Sequence, residues 1–218
     1  MHGLLVTWFH WVEAWGYLGV FLLMAMESSI IPVPSEVVMP PAAYWAAQGG
    51  HGMDLWGVIL AGTLGSYFGS AVSYWVSKWI GLPAVNKFGK YVFIGPDKVA
   101  HAHAWVTRFG AAGVFLARLL PVVRHLVSIP AGIVTMPFGK FSAATTAGAG
   151  IWCTVLAVFG AQVIGDQPHL LDSPEELMKA VKAKLLWIVL AAIGLTVAYG
   201  VMVFMRGRAA STPATPAE

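Results

Sequence analysis

Three uncharged apolar runs set the limits on this fold: LWGVILAGTLGSYFGSAVSYWVS (55–77), FSAATTAGAGIWCTVLAVFGAQVIG (141–165) and LLWIVLAAIGLTVAYGVMVFM (185–205). Each reaches the ~20 apolar residues that a helix needs to cross hydrocarbon. Inside a bilayer only helices and closed barrels satisfy every backbone polar group, so the chain is read as an all-α integral membrane protein. Its composition agrees, with 58% hydrophobic and 11% charged residues and a mean hydropathy of +0.72, against about 25% charged in soluble domains. The net charge of +3 reports loop topology in such a chain, and no nucleic-acid partner is expected. Cys153 is the only cysteine and lies within the second run, which excludes an intramolecular disulfide or a cysteine zinc cage. Residues 1–16 are Trp-rich, without Lys, Arg or a small-residue cleavage site; they read as an interfacial N-terminal helix, not a secretory signal.

Orientation follows from the basic residues. If 55–80, 141–165 and 185–205 each cross once, Lys78, Lys87, Lys90, Lys98, Arg108, Lys140, Arg206 and Arg208 share one side, against Lys179, Lys182 and Lys184 on the other. By the positive-inside rule the larger group marks the cytoplasm. This makes 81–110 a cytoplasmic loop and 206–218 a disordered cytoplasmic tail. Two further apolar stretches, 17–50 and 111–139, are broken by proline and charge. Arg108 and Lys140 must lie on the same side, so 111–139 enters and returns as a re-entrant hairpin, with 17–50 as its counterpart. Such irregular backbone at membrane depth has to be enclosed by protein or line a cavity.

GYLGVFL (16–22) resembles GAAGVFL (110–116), and each is followed by a Pro-rich break and a Gly-rich span. Read as a repeat, each unit is one hairpin plus one crossing. The two copies are then inverted, with the hairpins opposed, as in many secondary transporters. Ala61, Gly65, Gly69 and Ser73 form a small-residue stripe at every fourth position. The stripe fits either a homodimer seam or packing against the chain's own hairpin.

The chemistry is concentrated in the broken stretches. An arginine at membrane depth costs on the order of 3 kcal/mol on insertion scales, and such groups pair or mark a substrate path. Arg118 and Arg124 would sit roughly 120° apart on a straight helix, but Pro121 between them breaks the helix and allows both to converge. Two planar guanidinium forks suit a phosphate; the alternative is snorkelling or pairing with glutamates. His125 is a candidate phosphate donor or proton relay. Glu27 and Glu36, among Pro32, Pro34, Pro40 and Pro41, are candidate proton-coupling acids, since desolvated carboxyls can take up a proton; Ser35 and Glu36 could instead cap a helix after Pro34. Asp54 reads as the N-cap of a span. No nucleophile elbow, phosphate-cradling loop or HExxH signature appears, and neither a cofactor nor a metal is expected.

The run FLARLLPVVR places Phe115, Arg118, Pro121 and Arg124 three residues apart in turn. Pro130, Ala131 and Gly132 follow, then Met136, Pro137, Phe138 and Trp152. With Pro32, Pro34 and Glu36, and with Gly62, Leu64, Gly65, Tyr74 and Gly81, this resembles the DedA family of bacterial membrane proteins, related to the VTT-domain lipid scramblases. The resemblance covers about residues 15–205. It implies opposed re-entrant hairpins packed among crossing helices, in a multi-pass protein of the bacterial cytoplasmic membrane. It also implies a non-enzymatic flippase for undecaprenyl phosphate or phosphatidylethanolamine, in some members dependent on proton-motive force. Arg118 and Arg124 then match the family's essential arginines and Glu36 its hairpin acid. Many members have Gly-Asp where this chain has Gly65-Ser66, which removes an acid from the first span. Rival readings are an intramembrane lipid phosphatase using His125 and a non-transporting assembly factor.

Overall fold

The computed structural model describes residues 2–29, 33–49, 52–88, 104, 109–120, 124–167, 170, 176–181 and 183. The chain divides into two compact units, Met1–Met178 and Lys179–Glu218, and the first contains both broken stretches. The expected span at 185–205, the tail, residues 89–103 of the loop, Pro32 and Pro121 lie outside the described residues.

Among the described residues every regular element is helical: α1 His2–Trp15, α2 Tyr17–Glu27, α3 Ser35–Ala47, α4 Leu55–Phe88, α5 Phe109–Arg118, α6 Ser128–Ile133 and α7 Phe138–Asp166. Among the described residues two segments are long and apolar enough to cross a membrane, Leu55–Trp79 and Phe138–Asp166. Helix α4 runs on to Phe88, past the end of its apolar part, where Lys78 lies 4.9 Å from the centroid of the Trp75 ring. Trp56, Leu60, Leu64, Phe68, Val72, Val76 and Trp79 stand exposed along one side of α4, as a lipid-facing surface would.

The two broken stretches appear as helix, break, helix: α2 and α3 around 28–34, and α5 and α6 around 119–127. Asp54 caps α4 as its position suggests. Its Oδ1 accepts from the Gly57 N–H at 2.8 Å and its Oδ2 from the Tyr17 hydroxyl at 2.8 Å, tying the start of α2 to the start of α4. The Gly57 N–H and then the Tyr17 hydroxyl hold the Asp54 carboxyl below the usual carboxylate range.

Helix α2 lies along α4 on the small-residue stripe. A Cβ at Gly65 would run into the Phe21 carbonyl, and one at Gly69 into the Ala25 carbonyl; the Ser73 hydroxyl donates to the Ser28 carbonyl at 3.2 Å. Gly65, Gly69 and Ser73 of the stripe are therefore packed against the chain's own α2, the second of its two readings. Beyond it, Tyr74 gathers Val114, Ala117, Val127, Ala131, Met136, Phe141 and Ala144 into a core joining α4, α5, α6 and α7. Tyr74 stacks on Phe141 with centroids 4.7 Å apart and donates its hydroxyl proton to the Met136 carbonyl. The two breaks are thus held against α4 and α7.

A buried arginine and serine site at the two breaks

Glu27 ends α2 and Ser35 begins α3. The Ser35 N–H donates to Glu27 Oε1 at 2.9 Å, so the Glu27 carboxylate satisfies one of the backbone donors that every helix N-terminus leaves free, and its charge suits the positive end of the helix dipole. Pro34, the residue before α3, offers no side-chain cap, so Glu27 supplies the capping acceptor, a role that the alternative reading of the sequence gives to Ser35 and Glu36.

Arg124 enters this corner from the second break. Its Nη2 forms an ion pair with Glu27 Oε2, without the alignment of a hydrogen bond at that oxygen, and donates to Ser35 Oγ at 2.9 Å. Trp152 of α7 lies beneath it, with the guanidinium carbon 4.9 Å from the ring centroid and Nε1 donating to Ser35 Oγ at 3.5 Å. Taking both charges out of water is costly, and such a pair holds only when further hydrogen bonds surround it. Ser35 and the α3 N-terminus provide them.

Arg118, at the end of α5, is 3% exposed. Its Nη2 donates to Ser70 Oγ on α4 and to Ser128 Oγ on α6, the latter at 2.8 Å. The Ser70 hydroxyl donates to the Ser66 carbonyl at 2.6 Å, and the Ser66 and Ser28 hydroxyls are hydrogen-bonded to each other at 2.8 Å. The buried hydroxyls thus link the second arginine back to the first break. The two guanidiniums lie within electrostatic reach of each other and of Glu27. Among the described residues no carboxylate bonds Arg118.

Of the residues singled out in the sequence, Arg124 and Glu27 therefore pair, and Arg118 lies within electrostatic reach of both. Glu36 lies beside Ser35 in the first turn of α3, 9% exposed, and no donor among the described residues pairs with its carboxylate. His125 is half-buried and within electrostatic reach of Glu36 and of the Glu27 main chain. No group of three His, Cys, Asp or Glu side chains among the described residues could hold a metal. Ser35, Ser70, Ser128 and Trp152 went unseen in the sequence as site residues; only their spacing from the charged residues could have marked them.

A family model described as the VTT domain matches residues 33–162, a range that contains both arginines and Glu36 and begins after Glu27. Undecaprenyl phosphate transporter A of Bacillus subtilis (strain 168) is 35% identical over 153 residues, 70% of this chain and 74% of that protein. The protein of the same name from Staphylococcus aureus is 26% identical over 153 residues, 68% of this chain and 74% of its own length. The alkaline phosphatase-like protein of Lactococcus lactis subsp. cremoris is 29% identical over 202 residues, 90% of each chain. No solved structure matches the chain.

Proposed function

The chain belongs to the VTT-domain family of membrane proteins, and on that premise we propose that it translocates a phosphate-headed lipid, undecaprenyl phosphate, across a bacterial cytoplasmic membrane. Arg118 carries the reading: a buried guanidinium that, among the described residues, is bonded by hydroxyls and by no carboxylate, beside a second arginine that is paired with Glu27. A buried cation without a counter-ion is expensive. A phosphate head group supplies the missing negative charge and matches the planar donor fork, while its apolar tail stays in lipid. His125, next to Arg124 in the chain, would be a further donor.

Arg124 is engaged by Glu27, so an arriving phosphate competes with that carboxylate for the same guanidinium. A proton on Glu27, or relayed through Glu36, frees Arg124, and this is how a proton gradient would drive the exchange. Ser66, in place of the acid found in many members, leaves Glu27 and Glu36 to carry the proton.

The topology proposed with this function has the two helix-break-helix units as opposed re-entrant hairpins in an inverted repeat, with the C-terminus cytoplasmic. Two parallels support the repeat. Gly16 and Gly110, the first residues of the matching heptads, both have positive φ, 53° and 52°. Phe21 and Phe115 occupy equivalent heptad positions, and their carbonyls lie over Gly65 and Gly148 of the following long helices.

Reconstitution into liposomes with an imposed pH gradient tests the function. Protein-dependent transfer of undecaprenyl phosphate between leaflets, without transfer of undecaprenol, is the expected result. Equal transfer of phosphatidylethanolamine would widen the substrate to phospholipids. Release of inorganic phosphate would favour the phosphatase reading suggested by the Lactococcus relative's name.

A further inference from the structure

Among the described residues three buried side-chain atoms lack a hydrogen-bond partner: Glu27 Oε2, Arg118 Nε and Thr145 Oγ1. The first lies against Arg124. The other two have no such compensation. A hydroxyl on a helix commonly turns back to the carbonyl four residues earlier. Thr63 does so to Ile59 at 2.7 Å, Thr154 to Gly150 at 2.8 Å and Ser70 to Ser66 at 2.6 Å. Thr145, on the same helix as Thr154 and fully buried, does not.

Its place on α7 is informative. Residues seven apart stand almost in line on a helix, so Thr145 shares a face with Trp152, which carries Arg124. Between them is Gly148, where an added Cβ would lie 2.6 Å from Arg118 Cβ. One face of α7 thus presents, in order, Thr145, the stem of Arg118 and the head of Arg124. The two unmet groups are alike in chemistry. Arg118 Nε–H is a donor only, and the Thr145 hydroxyl has a proton to give; both lack an acceptor, and the Nη2 beside Nε is already committed to Ser70 and Ser128.

We infer that Thr145 is a further head-group residue: its hydroxyl and the Arg118 Nε–H donate together to one oxygen of a phosphate monoester. This rests on the head-group reading of Arg118 and Arg124 and names where one phosphate oxygen goes. An anionic oxygen accepts from both donors at once, whereas the free alcohol of the same lipid offers a weaker acceptor and no charge.

The test uses the whole protein in detergent with three probes, undecaprenyl phosphate, undecaprenol and inorganic phosphate, read by native mass spectrometry and ligand-induced thermal shift. Thr145→Val removes the hydroxyl at nearly constant shape and Thr145→Ser restores it. The expected result is that wild type and Thr145→Ser prefer undecaprenyl phosphate to undecaprenol. Thr145→Val should lose about tenfold in affinity for the phosphate, while its unliganded melting temperature holds or rises because a buried unmet donor is gone. If inorganic phosphate competes, Thr145→Val weakens that competition too; if it does not compete, only the lipid reaches the site, and the valine variant decides on the lipid alone. Thr145→Val binding undecaprenyl phosphate as wild type does would overturn the inference and leave the head-group reading standing. A wild type that binds undecaprenol as well as undecaprenyl phosphate would overturn both.

Discussion

Arg124 and Glu27 come from the two separate breaks in the chain and form an ion pair in which the side chains retain 6% and 1% of their exposure. One partner follows α5 and the other ends α2, so the pair fastens the first broken stretch to the second. Breaking such a pair from one side leaves an uncompensated buried charge and costs about 3–5 kcal/mol. Glu27→Ala and Arg124→Ala should each lower the melting temperature strongly. The double variant should fall short of the sum by about 0.5–3 kcal/mol, the range of direct coupling energies. Thermal unfolding of the four proteins checks this, and strict additivity would show that the two charges do not hold each other.

Gly69 decides the packing of α2 on α4. Alanine is the better helix former by about 1 kcal/mol, yet its methyl would meet the Ala25 carbonyl, backbone that can yield only if α2 shifts. Overpacking of this kind costs about 1–3 kcal/mol. Gly69→Ala should therefore destabilise the protein in a thermal melt, and a variant as stable as wild type would mean that α2 lies further from α4.

Asp54 gives a pH signature outside the membrane. Its carboxyl is held below the usual value by the Gly57 N–H first and the Tyr17 hydroxyl second. A lowered pKa in the folded state means that the charge contributes stability at pH values above the unfolded-state pKa, and that this contribution is lost as the pH falls through the folded-state pKa. Asp54→Asn keeps a capping oxygen and loses the charge. Melting of the two proteins as a function of pH should show wild type ahead at neutral pH, with the gap closing as the pH drops below 3.8, the group's ordinary value. A gap unchanged into stronger acid would place the benefit in shape and not in charge.

The sequence was informative where single residues impose large costs. Uncharged runs long enough to span hydrocarbon left α4 and α7 little choice, and the Arg118 to Arg124 stretch with its proline announced a break. Asp54 was legible because an N-cap is a local device. The partner of Arg124 was not legible: Glu27 and Glu36 are both acids near prolines, and only the folded chain brings Glu27 to the α3 N-terminus. The serines were invisible for a related reason, since a serine facing its helix neighbour and one facing a guanidinium look alike in a sequence. The small-residue stripe left two readings open because close packing needs small residues whether the neighbour is a second copy or α2.

The central claim is that Arg118 is buried to receive a phosphate. Its most direct test is the affinity of purified wild type, Arg118→Lys and Arg118→Ala for undecaprenyl phosphate relative to undecaprenol, with the melting temperature of each protein taken alongside. Charge-assisted hydrogen bonds contribute about 1.5–3 kcal/mol. Alanine should therefore weaken the phosphate lipid by roughly tenfold to a hundredfold and leave undecaprenol unchanged. Lysine, which keeps the charge without the planar fork, should fall between alanine and wild type while remaining folded. Wild-type preference for undecaprenyl phosphate in a folded Arg118→Ala or Arg118→Lys protein would contradict the account, and would make Arg118 a structural tie between Ser70 and Ser128.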